Sequence, residues 1–95
     1  MNYKDGVACL NCYRQLYRQA TGRCHSDIAS RDVRRLLNLC DKCGITDVED
    51  VKALMDSYFQ TNFKGECNRL VWHFLADRVF RNLALHAGLI SSIYA

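Results

Sequence analysis

The chain has 95 residues, of which 49% are hydrophobic and 24% are charged, a composition that fits one small globular domain and excludes a disordered tail. It contains no proline, and its net charge of +3 is too modest to identify a partner by itself. The sequence shows neither the apolar core of a signal peptide near Met1 nor an uninterrupted apolar run of about 20 residues, so we predict an intracellular protein, cytoplasmic or nuclear, with no membrane contact.

The first half of the chain predicts two helices. One runs over 13–21 and the other begins at Ser26 or Ser30, because apolar side chains recur in both at intervals of three and four residues. Gly22 and Gly44 follow these segments, and glycine commonly ends a helix in the left-handed conformation. The second helix is therefore expected to end just before its glycine.

The second half predicts two more helices. Thr46 is expected as the N-cap of the third helix, with Glu49 completing a capping box, and apolar residues at helical spacing follow over 48–59. A break over 62–65 separates this helix from a last one over 66–87, whose apolar arc is wide enough to contact other elements on more than one side. We therefore predict a mostly α, single-domain bundle of about four helices that spans the whole chain.

Four cysteines form two closely spaced pairs, Cys9 with Cys12 and Cys40 with Cys43, separated by 27 residues. Zinc in structural sites takes four soft ligands at the corners of a tetrahedron, and two Cys-x-x-Cys turns can supply them. Gly44, directly after the second pair, would let the backbone fold under a metal ion. The spacing predicts one structural Zn²⁺ that ties the N-terminal segment to the end of the second helix.

Other interpretations of the cysteines stay open. Cys24 and His25 lie in the turn between the first two helices, where either could replace one of the four zinc ligands. The cysteines could also be small apolar residues of the core, a redox-active pair, or ligands of an iron–sulfur cluster. Cys67 and His73 are expected as helix residues, and the sequence leaves open whether they join a metal site.

The sequence contains no glycine-rich phosphate loop, no nucleophile elbow and no pair of carboxylates on a cleft-forming scaffold. Four cysteine ligands would also leave a zinc ion without an open coordination position for a substrate. We therefore predict a protein that is not an enzyme and has no small-molecule substrate. A thiol redox sensor, which would lose zinc and form disulfides on oxidation, is an alternative of a different class.

The two halves of the chain suggest two kinds of partner. The helical half, 46–95, holds more large apolar residues than one small core readily hides, which favours a regulatory or adaptor protein that acts through a protein partner or as a homodimer. The zinc-binding half, 1–45, holds eight Lys or Arg residues against four Asp or Glu, which favours a nucleic acid as the alternative partner. The predicted protein interface consists of Tyr58, Phe59, Trp72 and Phe80. The predicted nucleic-acid surface consists of Arg14, Arg18, Arg23, Arg31, Arg34 and Arg35.

The double Cys-x-x-Cys pattern of Cys9, Cys12, Cys40 and Cys43 resembles the zinc domains of papillomavirus early oncoproteins. The likeness covers these four residues alone. The segment between the pairs is predicted to be helical where those domains use strands, and the gap between the pairs is shorter. The resemblance implies a non-catalytic protein that binds host partners, such as a viral accessory or regulatory protein.

Overall fold

The computed structural model of the protein describes residues 1–61 and 69–91. Within those ranges the chain forms five helices and no β-strand, so the prediction of a mostly α fold is confirmed. None of these helices is both long enough and apolar enough to cross a lipid bilayer. The helices are α1 (Tyr3–Thr21), α2 (Ser30–Cys43), α3 (Val48–Gln60), α4 (Val71–Phe74) and α5 (Asp77–His86).

Helix α1 begins well before the predicted start at residue 13. The Asn2 side chain accepts a hydrogen bond from the Asp5 N–H, and the Asp5 carboxylate accepts one from the Asn2 N–H, both at 2.9 Å, which forms a capping box. The first cysteine pair therefore lies within the helix and not in a turn that precedes it. The predicted end is confirmed, because Gly22 adopts a left-handed conformation with a φ of 71°.

Helix α2 begins and ends where the sequence predicts. It starts at Ser30, the second of the two predicted starts, where the Asp32 carboxylate accepts a hydrogen bond from the Ala29 N–H at 3.0 Å. It ends at Gly44, whose φ of 69° is left-handed. Both ends are set by residues within one turn of the helix, which explains why the sequence alone could locate them.

The N-cap of α3 is Asp47, and not Thr46 as predicted. The Asp47 carboxylate accepts a hydrogen bond from the Glu49 N–H at 2.9 Å. Threonine and aspartate are both common N-caps and are adjacent here, so the pattern alone does not rank them. Helix α3 ends at Gln60, and the predicted break over 62–65 lies outside the described residues.

The last predicted helix, over 66–87, is two helices in the structure. Its first three residues lie outside the described part of the chain, and beyond them α4 and α5 are separated by Leu75 and Ala76. The Leu75 carbonyl at this interruption accepts a hydrogen bond from Nε of Arg35 at 2.7 Å. Each helix presents its own apolar side to the core, which explains why the apolar arc in the sequence is too wide for one helix.

Arg69 joins the end of α3 to the start of α4. Its guanidinium donates hydrogen bonds of 2.8 to 2.9 Å to carbonyl oxygens near the C-terminal end of α3. The backbone of Arg69 has a φ of 57°, which is uncommon for a residue other than glycine. Its carbonyl accepts the Tyr13 hydroxyl at 2.7 Å, so α1 meets the same residue. The carbonyls bound by the guanidinium belong to Tyr58, Phe59 and Thr61.

The core lies between α1, α2, α3 and the C-terminal helices. α1 packs against both α2 and α3, and α5 packs against the same two helices. Gly6 lies where α1 and α2 approach closely, since a Cβ atom at this position would lie 2.8 Å from Cγ1 of Val33. Full burial of a large apolar side chain contributes roughly 1.5–3 kcal/mol. The largest fully buried side chains include Tyr13, Tyr58, Phe74, Phe80, Leu10, Leu36, Leu54 and Met55.

Candidate functional site

The two cysteine pairs lie in α1 and α2. Within each pair the residues are three positions apart on one helix, so they share a face. Cys9 and Cys40 are 0% and 2% exposed, Cys43 is also buried, and Cys12 is half-buried against the same core. Among the residues that the structure describes, no group of three or more His, Cys, Asp or Glu side chains is placed to hold a metal ion. The zinc site therefore stays a prediction.

Burial changes the acidity of these thiols. Loss of hydration raises the pKa of Cys9 to about 11 and the pKa of Cys40 to about 12, from an ordinary value of 9.0. Burial likewise raises the pKa of Cys43. These thiols are neutral at pH 7, whereas metal binding and nucleophilic chemistry use the thiolate. The burial of Cys9, Cys40 and Cys43 fits the interpretation of these cysteines as small apolar residues of the core.

Both ring nitrogens of His25 are bound by the backbone. The ring is almost fully buried, Nδ1 lies 2.7 Å from the carbonyl oxygen of Ser26, and Nε2 accepts the Val71 N–H at 3.0 Å. An acceptor at Nε2 places the ring proton on Nδ1, so the ring is neutral in this arrangement. His25 thus ties the α1–α2 connection to α4 and has no nitrogen left for a metal. Cys24 beside it is exposed.

The predicted protein interface is largely internal. Tyr58 and Phe80 are fully buried, and Phe59 is half-buried against the same core. The Tyr58 hydroxyl is hydrogen-bonded to Nδ1 of His73 at 2.8 Å. Of the four residues predicted for this interface, Trp72 alone is exposed, with 45% of its surface accessible. The other large apolar residues of the set belong to the protein's own core.

Trp72 lines a surface groove of about 400 Å³ together with the outer face of α2. Large apolar side chains are normally buried, and in the described residues only Tyr3 and Trp72 are exposed. The indole ring packs against the ring of His25, with the centroids 5.7 Å apart, which restrains the indole while leaving much of it accessible. We call this surface the tryptophan groove. Its lining residues are Arg31, Asp32, Arg34, Arg35, Asn38 and Trp72.

The tryptophan groove is positively charged. It holds three guanidinium groups against one carboxylate, that of Asp32, which is buried and caps the start of α2. In the described part of the chain, no salt bridge joins Arg31, Arg34 or Arg35 to a carboxylate. The hydrogen bond from Nε of Arg35 to Leu75 orients the third guanidinium at the edge of α4. The groove thus combines an accessible aromatic ring with positive charge that no carboxylate neutralises by direct pairing.

A second groove, of about 380 Å³, follows the outer face of α1. None of the described residues that line it carries a carboxylate. Arg14 lies 3.9 Å from Asp27, but both side chains are exposed, and such an ion pair contributes at most about 1 kcal/mol. We call this surface the α1 groove. Its lining residues are Asn11, Arg14, Gln15, Arg18, Cys24 and His25.

The six arginines of the predicted nucleic-acid surface are divided between the two grooves. Three line the tryptophan groove, two line the α1 groove, and Arg23 is exposed and lines neither. Tyr13 and Tyr17, which alternate with arginines in the sequence, are buried and cannot stack on a base. Sequence reasoning assigns Trp72 to a protein interface and misses its place among the arginines. A hydrogen bond between residues 40 positions apart brings α4 to α2, and no local pattern reveals it.

Comparison of the chain with protein-family models, curated proteins and solved structures found no match. Function is therefore inferred from the residues of the two grooves. These residues provide guanidinium groups and one exposed indole ring, that of Trp72.

Proposed function

We propose that the protein binds single-stranded nucleic acid in the tryptophan groove. The observation that carries the proposal is a half-exposed indole, Trp72, that shares a groove with three arginines. A base stacks on an accessible aromatic ring only when it is unpaired, and stacking contributes about 1–3 kcal/mol per base. Arginine binds phosphate oxygens with two parallel hydrogen bonds, so the surrounding guanidinium groups suit the backbone of the same strand.

The chain provides its own optical probe for this proposal. Trp72 is the single tryptophan of the sequence, so the intrinsic fluorescence excited in the indole band reports on the groove alone. Addition of an unlabelled oligothymidine or oligouridine should quench this emission as a base stacks on the ring. Quenching should weaken as salt rises, because bound phosphates release counterions from the strand.

Substitutions test the same groove by fluorescence anisotropy with labelled strands of about 12 nucleotides. Trp72→Ala should weaken binding by about tenfold through the loss of one stacked base. Arg31→Gln together with Arg34→Gln should weaken binding and lower the slope of log affinity against log salt by about 1.4, or 0.7 for each phosphate contact. Tyr3→Ala removes an equally exposed aromatic ring outside both grooves, and it should leave the affinity unchanged.

Two outcomes would overturn the proposal. The first is a wild-type protein that binds neither strand at low salt. The second is a Tyr3→Ala variant that loses as much affinity as Trp72→Ala, which would show that any exposed aromatic ring serves equally well.

The adaptor role predicted for the helical half stays a separate prediction. Its support is weaker in the folded chain, because Tyr58 and Phe80 are fully buried. Homodimer formation is tested by the molar mass of the protein in solution, measured by light scattering across a range of concentrations. A molar mass that equals that of a monomer at every concentration would contradict this prediction.

Zinc binding through Cys9, Cys12, Cys40 and Cys43 also stays a prediction, as do iron–sulfur ligation and redox sensing. Native mass spectrometry of the purified protein counts bound metal ions directly. One zinc ion per chain would support the four-cysteine site. A metal-free folded chain would favour the core interpretation that their burial supports.

A further inference from the structure

We propose that the α1 groove is a second contact for the same strand, so that one single-stranded nucleic acid crosses both grooves. This inference rests on the proposed function of the tryptophan groove. It adds a binding site for phosphates on α1 and predicts that affinity depends on strand length.

His25 connects the two grooves. His25 is among the residues that line the α1 groove, and its ring packs against that of Trp72, which lines the other groove. The contact between these two residues places the two grooves next to each other. Hydrogen bonds to Ser26 and Val71 hold the histidine ring in place between them. We therefore expect a strand that stacks on the indole to reach the α1 groove as it lengthens.

The outer face of α1 offers donors suited to phosphate. Arg14 and Arg18 are four positions apart, and so are Asn11 and Gln15, so each pair projects from one side of the helix. Arginine and amide side chains commonly donate hydrogen bonds to phosphate and sugar oxygens. The described residues of this groove include no aromatic ring as exposed as that of Trp72, and Tyr13 and Tyr17 of the same helix are buried. Its chemistry therefore fits the backbone of a strand better than its bases.

Among the residues at 1–61 and 69–91, Asp27 is the one carboxylate that forms an ion pair with these donors. It lies 3.9 Å from Arg14 and is fully exposed, so it competes weakly with a phosphate for the same guanidinium. Its removal should therefore strengthen binding at the α1 groove.

The test compares short and long strands in the full-length protein. Wild type should bind an oligothymidine of about 12 nucleotides more tightly than one of about 4, because only the longer strand reaches both grooves. Arg14→Gln combined with Arg18→Gln should weaken binding of the long strand by about tenfold and leave the short strand unaffected, with a salt slope for the long strand smaller by about 1.4. Asp27→Asn should strengthen binding of the long strand by about twofold.

The matched control is Arg23→Gln, which removes an exposed arginine that lines neither groove. It should leave the affinity for both strands close to that of wild type. All four substituted residues are exposed, so thermal unfolding of each variant should match that of wild type and exclude a loss of fold.

Each outcome decides one of the two claims. If the Arg14 and Arg18 double variant binds the long strand as tightly as wild type, or loses equal affinity for both lengths, the second contact is wrong. The fluorescence response to the short strand would still support binding in the tryptophan groove. If Trp72→Ala and the Arg31 and Arg34 double variant also bind like wild type, the proposed function itself is wrong.

Discussion

The inner and outer faces of α2 carry opposite chemistry. The inner face buries Leu36, Cys40 and Cys43 in the core, and burial raises the pKa of both thiols. The outer face holds Arg31 and Arg34 in solvent beside Trp72. The cysteines form the more recognisable sequence pattern, yet it is the outer face whose arginines lie beside an accessible aromatic ring.

This contrast shows what a spacing of three residues means within a helix. Two cysteines separated by two residues share a helical face whether they bind a metal or pack in a core. In a turn, the same spacing would direct both thiols at one point, which is the basis of the zinc prediction. The capping box at Asn2 and Asp5 extends α1 through the first pair. The conformation of the segment therefore matters as much as its spacing.

The largest expected difference between the two faces is in stability. Leu36→Ala should lower the free energy of unfolding by about 3 kcal/mol, because it removes a fully buried side chain and leaves a cavity. Arg34→Ala, two residues earlier and exposed, should change it by less than about 0.5 kcal/mol. Urea unfolding followed by circular dichroism measures both. Equal losses would contradict the assignment of the two faces.

The buried thiols should make the protein less stable at alkaline pH. The pKa of Cys40 is raised to about 12 from 9.0, so the unfolded chain releases the proton first and stability falls as pH rises above about 9. One such thiol should lower the free energy of unfolding by about 1 kcal/mol between pH 9 and pH 10. Below pH 9 its contribution is fully retained.

Unfolding measured across this pH range in Cys40→Ala should show a shallower decline than wild type. Cys24→Ala is the control, because Cys24 is exposed and its removal should leave the decline unchanged. A Cys40→Ala curve parallel to that of wild type would show that this thiol does not titrate differently on unfolding.

The smallest expected effect concerns Cys43. If Cys43 is a core residue, Cys43→Ala should lower the free energy of unfolding by about 1 kcal/mol, and a chelator should leave the melting temperature of wild type unchanged. If Cys43 is a zinc ligand, the same substitution would remove metal-binding free energy on the order of 10 kcal/mol and abolish folding. Differential scanning fluorimetry with and without chelator separates these results. If Cys43→Ala is unfolded and the chelator lowers the melting temperature of wild type, the results would support the predicted zinc site.

The sequence predicts those parts of the fold that local residues determine. The ends of α1 and α2 follow from Gly22 and Gly44, whose left-handed conformations act within one turn. The interruption between α4 and α5 does not follow from any local pattern, because its carbonyl at Leu75 is bound by Arg35 from another helix.

The candidate site was predictable only in part for the same reason. The arginines are visible as a basic half of the chain, and Arg31 and Arg34 do lie in one groove. The position of Trp72 depends on the hydrogen bond between His25 and Val71, which joins residues 46 positions apart. A tertiary contact thus decides whether that ring is core or surface.

Arg69 has a consequence for how the protein unfolds. Its side chain completes the end of α3 while its carbonyl receives the hydroxyl of Tyr13 from α1. Arg69 therefore links the end of α3 to α1 as well as to the start of α4. We expect the C-terminal helices to separate from the bundle together with these contacts, which makes loss of structure cooperative despite the small size of the chain.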